Sequence, residues 1–170
     1  MTRMVKGAAL ALAVAALAVA GTDAAFAQTS TKKMSAEAKR GRYLVQIAGC
    51  NDCHTPNYPE SGGKVDEKLW LTGSPVGWRG PWGTTYPPNL RLDAHDMSEA
   101  DFIKLARSPD RRPPMPWFNV RAMSNKDVRA IYQYLKYMGP AGEPAPQYVP
   151  PDKEPMPPFI QFPAPPPAKK

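Results

Sequence analysis

Apolar residues recur at helical spacing in three parts of this chain, and each part opens on a residue suited to capping a helix. Tyr43, Leu44 and Ile47 fall on one face of a helix predicted over 35–48, with Ser35 as its N-cap. A second helix is predicted over 98–107. There Ser98-Glu99-Ala100-Asp101 resembles a capping box, and Pro109 ends the run. A third begins at Ser124, where Ser124-Asn125-Lys126-Asp127 repeats the pattern. Val128, Ile131, Tyr132, Leu135 and Met138 form its stripe, and Gly139-Pro140 stops it. A fourth apolar run, 7–20, is different in kind. It is uncharged Ala, Leu and Val after Arg3 and Lys6, and Ala25-Phe26-Ala27 follows as a small-x-small cleavage site before Gln28. At about 14 residues it falls short of the roughly 20 a membrane-spanning helix needs, so it reads as a secretory signal.

Between the first two helices, residues 55–96 are rich in Gly and Pro, contain Trp70, Trp78 and Trp82, and sustain no period of 2 or 3.6. So long a loop in a small domain makes sense if something other than protein fills part of the core. Residues 140–170 hold 12 prolines, which favours extended chain packed along its own domain or a partner. The organisation expected is a signal peptide at 1–27, a folded domain at 28–139 and a Pro-rich extension at 140–170. A net charge of +7 is scattered rather than gathered on a helix face. With export, that argues against a nucleic-acid partner, and no membrane span is expected once the signal is removed.

Both cysteines and one of the two histidines lie within Gly49-Cys50-Asn51-Asp52-Cys53-His54. A structural zinc site needs four ligands, and only His95 remains to complete it among Cys and His. A thioredoxin-like pair expects flanking strands, and a plain disulfide leaves His54 without a role. Cys-x-x-Cys-His is the pattern of covalent haem attachment. Thiols three residues apart can each form a thioether with a haem vinyl group, and the next residue can present its imidazole to the iron. Cys50 and Cys53 are therefore expected to bind haem c, and His54 to ligate the iron through Nε2. Its Nδ1–H would donate to a nearby backbone carbonyl.

For the sixth ligand the candidates are His95, Met97, Met115, Met123, Met138 and Met156. Met97 and Met123 precede capping serines and suit hydrophobic staples with Phe102 and Val128. Met138 continues a helix stripe, Met156 lies in the extension, and His95 sits in a polar stretch. Met115 stands outside any helix in Arg112-Pro113-Pro114-Met115-Pro116-Trp117. Prolines on both sides make a stiff extended support for a thioether, with Trp117 or Phe118 to cover a haem edge.

The order helix, Cys-x-x-Cys-His, loops, Pro-flanked Met and final helix resembles a class I c-type cytochrome over 35–139. Gly41-Arg42-Tyr43-Leu44, Gly83-Thr84-Thr85-Tyr86-Pro87-Pro88-Asn89-Leu90 and Met115-Pro116 are similar to haem domains in cytochrome subunits of membrane-bound alcohol and gluconate dehydrogenases. Those subunits usually carry several such domains, whereas this chain has one Cys-x-x-Cys-His. The resemblance implies an all-α, cytochrome c-like fold of three main helices around one haem, with long loops and the Pro-rich tail. It implies that Gly41 admits the last helix, near Tyr132, and that the loop from Trp82 to Asn89 lines the haem. Arg79 and Arg91 are candidate partners for the propionates. The function implied is a periplasmic electron carrier with His/Met ligation, not an enzyme by itself, taking electrons from a dehydrogenase toward a terminal oxidase or another cytochrome. Its rivals are a dedicated subunit of a dehydrogenase complex and a haem enzyme or gas sensor with an open sixth position.

Overall fold

The computed structural model describes residues 33–108 and 111–163; the expected signal peptide lies outside them. Helix α1 is Ala36–Ile47, and the Ser35 side chain caps it by accepting from the Ala38 N–H. Its buried face is Ala38, Gly41, Leu44 and Val45. Tyr43 and Ile47, expected on that face, are exposed instead. The stripe is set by small residues, because a second helix lies directly against them. That helix is α6, Asn125–Met138, capped by Ser124 and ended at Gly139 with positive φ. Its buried positions include the expected Val128, Ile131, Tyr132 and Leu135, together with Ala130 and Tyr134.

Gly41 explains those two additions. A Cβ at Gly41 would run into the Ala130 carbonyl and lie 2.8 Å from the Tyr134 Cβ. The helices therefore cross at Ala130 and Tyr134, not at Tyr132. Tyr132, between them in sequence, faces another side of α6, where its hydroxyl donates to the Met97 carbonyl.

The remaining helices are short: α2 Cys50–His54, α3 Leu90–Asp96, α4 Glu99–Ala106 and α5 Trp117–Ala122. The α4 capping box forms as expected, with Ser98 Oγ accepting from the Asp101 N–H at 3.1 Å. The stretch 55–96, read as loop, holds α3, a 3₁₀ turn at Glu67–Leu69 and a hairpin of β1 (Gly77–Gly80) and β2 (Gly83–Thr85). Trp78 pairs with Thr85 and Gly80 with Gly83 across it.

The extension packs on this hairpin. Val149 bridges Thr84, and β3 (Phe159–Gln161) runs parallel to β1, completing the sheet order β2-β1-β3. Phe162 then packs against Trp78 and Trp82. The described extension thus lies along its own domain, one of the two places expected for it. Among the described residues no helix is long and apolar enough to cross a membrane.

Candidate haem-attachment site

Cys50, Cys53 and His54 share the single short helix α2, so the structure brings these three together. Gly49 precedes it in the left-handed conformation (φ 67°), which turns the chain sharply from the end of α1 into α2. Both cysteines are half-buried free thiols, not joined in a disulfide. Burial pushes the Cys50 thiol up to about 11, so it is uncharged at neutral pH.

His54 is 6% exposed, and its Nδ1 lies 2.9 Å from the Pro88 carbonyl oxygen. A carbonyl can only accept, so Nδ1 carries the proton and Nε2 keeps its lone pair. Burial lowers the His54 pKa, which keeps the ring neutral. A neutral imidazole with Nδ1–H on a backbone carbonyl and a free Nε2 is the donor an axial ligand requires.

The surroundings of α2 are held by residues the motif did not reveal. Thr55 Oγ1 donates to Asn51 Oδ1 and accepts from the Leu71 N–H, both at 2.8 Å. The Gly73 N–H donates to the His54 carbonyl at 2.8 Å. Asn89 caps α3 by accepting from the Arg91 and Leu92 N–H groups, while its amide donates to the Ala141 and Glu143 carbonyls. Pro88 and Asn89 therefore fix the histidine ring and the start of the extension from adjacent positions. A capping signal existed at Asn89, but a helix of seven residues is too short for its period to stand out.

Met115 is half-buried in the segment between α4 and α5. Arg111, four residues before it, is near enough for its charge to act on both His54 and Asp93. His95 is exposed at the end of α3 and pairs with Asp96 at 3.0 Å; it lies in a helix, not in the expected loop. Among the described residues no three His, Cys, Asp or Glu side chains are grouped to hold a bare metal ion.

Arg91 is not available for a propionate. It is 5% exposed, and its Nε, Nη1 and Nη2 donate to the carbonyls of Gly139, Lys68 and Met138, each at 2.6 Å. Arg79 pairs with Glu154 and lies 5.6 Å from the Phe159 ring, so it serves the extension. The buried hydroxyls of Thr84 and Thr85 and the Asn51 amide nitrogen find no partner among the described residues. Unpaired buried donors of this kind are satisfied by a buried water or by a bound group. Haem carboxylates are acceptors of the right chemistry for the threonines, so two free thiols, a neutral imidazole and orphan hydroxyls together fit the group.

No protein-family model matches the chain. No solved structure matches it either. The chain is similar to the cytochrome c subunit of a quinone alcohol dehydrogenase from Gluconobacter oxydans (strain 621H), at 28% identity over 149 residues. The match covers 81% of this chain but 28% of that protein, so the chain spans just over a quarter of the relative's length. With its helix-dominated architecture and small sheet, the chain has an all-α, cytochrome c-like fold, in which α2, α3 and α5 join the three expected helices, α1, α4 and α6.

Proposed function

We propose that this chain is a periplasmic electron-transfer protein with one covalent haem c. Cys50 and Cys53 would hold the haem as thioethers, and His54 Nε2 and the Met115 sulfur would ligate its iron. The haem, when bound, supplies a one-electron iron couple whose potential a His/Met pair raises. Everything else is done by the chain. The Pro88 carbonyl orients His54 and keeps its tautomer, and the Pro-flanked segment carries Met115. The net positive charge favours encounter with acidic partners. Electrons pass from a dehydrogenase toward a terminal oxidase or another cytochrome, and the chain transforms no substrate of its own.

The observation that carries this reading is His54: a buried ring directly after Cys53, its Nδ1–H committed to Pro88 and its Nε2 lone pair free. The test is a spectrum of the periplasmic protein, oxidised and reduced, beside Met115→Ala and a mass measurement under denaturing conditions. The expected result is one haem retained after denaturation, with a near-infrared sulfur-to-iron band that Met115→Ala abolishes while lowering the potential. Haem released on denaturation would overturn covalent attachment, and a band that survives Met115→Ala would overturn the sixth ligand.

A second reading, a dedicated cytochrome subunit of a dehydrogenase complex, is favoured by the similarity to such a subunit. Co-purification of a dehydrogenase from native extract separates it from the free carrier. The extension gives this version little help, because Tyr148, Val149, Phe159 and Phe162 are engaged with the chain's own hairpin.

A further inference from the structure

The segment that carries Met115 is poorly equipped to hold itself in place. Within Pro113-Pro114-Met115-Pro116 only Met115 has a backbone N–H, so no ladder can anchor it. Its C-terminal side is secured through α5. Arg107 donates to the carbonyls of Val120, Arg121 and Met123 and to Asn125 Oδ1, at 2.6–3.2 Å. On the N-terminal side the one such tie among the described residues is long, Arg111 Nη2 donating to the Leu105 carbonyl at 3.4 Å.

A closer contact there comes from the extension. The Arg112 guanidinium lies 3.7 Å from the centroid of the Tyr148 ring. Tyr148 is itself fixed. Its hydroxyl donates to the Trp82 carbonyl at 2.9 Å, and its neighbour Val149 exchanges two backbone hydrogen bonds with Thr84, at 2.7 and 3.0 Å. A Cβ built on Gly83 would come within 2.8 Å of the ring. Tyr148 is thus a rigid plate, backed by β2, on which the residue before Pro113 is stacked.

We propose that Tyr148, acting through Arg112, is a positioning residue for the sixth iron ligand, so that the extension governs how firmly Met115 stays on the iron. This rests on Met115 being that ligand. A loop tied at both ends keeps its methionine in place. With the Arg112 tie removed, the segment pivots on α5 and Met115 leaves more often.

The test uses holoprotein variants Arg112→Gln, Tyr148→Leu and Tyr148→Phe, with Met115→Ala as reference. Three quantities are followed: thermal loss of the near-infrared band, thermal loss of helical circular dichroism, and carbon monoxide binding by the reduced protein. In Arg112→Gln and Tyr148→Leu the band should disappear at a lower temperature than the helices melt. Carbon monoxide should bind about three- to fivefold faster, the effect of losing one cation–π pair on the opening equilibrium. Tyr148→Phe keeps the ring and should stay near the wild type. Arg112 is exposed, so its variant tests the tie even if Tyr148→Leu fails to fold.

If Met115→Ala abolishes the band while Arg112→Gln leaves band loss and carbon monoxide binding unchanged, the positioning role is wrong and the ligand stands. Band and helices melting together in the variants would overturn it too, as a merely structural tie. A band that survives Met115→Ala instead removes the ligand reading on which the proposal rests.

Discussion

The α1–α6 crossing and the proline-rich segments that carry Pro88 and Met115 are assembled by opposite means. In the crossing, Ala38, Val45, Ala130, Tyr134 and Leu135 are buried against one another, and Gly41 brings one backbone against the other. Outside the crossing, cationic side chains gather carbonyls instead. Arg91 joins Lys68, Met138 and Gly139, and Arg107 joins Val120, Arg121 and Met123. Where the chain can form long helices, packing holds it. Where proline removes backbone donors, arginine supplies donors from elsewhere.

The largest effect that would test this contrast is at Gly41. Gly41→Val puts a branched side chain where the Ala130 carbonyl already lies, and backbone cannot move aside as a flexible side chain can. A loss of about 3 kcal/mol or more is expected, at or beyond the upper end for overpacking. It is measured by denaturant unfolding of the holoprotein. A loss below about 1 kcal/mol would mean that the crossing yields easily, and the contrast would fail.

Arg91→Met probes the other construction. It removes three hydrogen bonds and leaves the carbonyls at the end of α6 without donors, in a position where a cation also suits the helix dipole. The expected cost is about 2–3 kcal/mol, with the visible spectrum unchanged because Arg91 serves the helix end and not the haem. A changed spectrum with little loss of stability would reverse that assignment.

The two constructions were not equally legible in the sequence. The capping serines at 35, 98 and 124 and the stripe of α6 were readable because long amphipathic helices announce themselves by period. Helix α3 and the β1–β2 hairpin were not. Seven residues make two turns, and Gly80-Pro81-Trp82-Gly83 carries none of the dipeptides that mark a tight hairpin. The α1 face was misread for a physical reason: a hydrophobic pattern favours Tyr43 and Ile47, while close helix contact favours Gly41 and Ala38. At the site, Cys50, Cys53 and His54 were legible as one motif. Pro88, the partner of His54, was not, because a carbonyl acceptor leaves no trace in residue type. For the same reason Arg91, a candidate for haem carboxylates by its charge, proved to serve carbonyls.

The smallest effect lies where the two constructions meet, at Glu67. Its carboxylate receives Arg42 Nε and Nη2 from α1 and the Tyr134 hydroxyl from α6, each at 2.8 Å. The Arg42 fork, helped by Tyr134 and opposed by burial, holds the Glu67 carboxyl below its ordinary value of 4.5. A depressed folded-state pKa stabilises the fold fully above the unfolded value. The contribution fades as pH falls from about 4.5 through the folded value. Tyr134→Phe should cost about 1 kcal/mol at neutral pH, and less in acid once the carboxyl is protonated. Glu67→Gln should lose stability less steeply than the wild type over that acid range, because it has no proton to take up. Both are read from denaturant unfolding at neutral and acidic pH. Equal acid slopes for wild type and Glu67→Gln would show that this carboxylate does not join the packed crossing to the arginine-held segments.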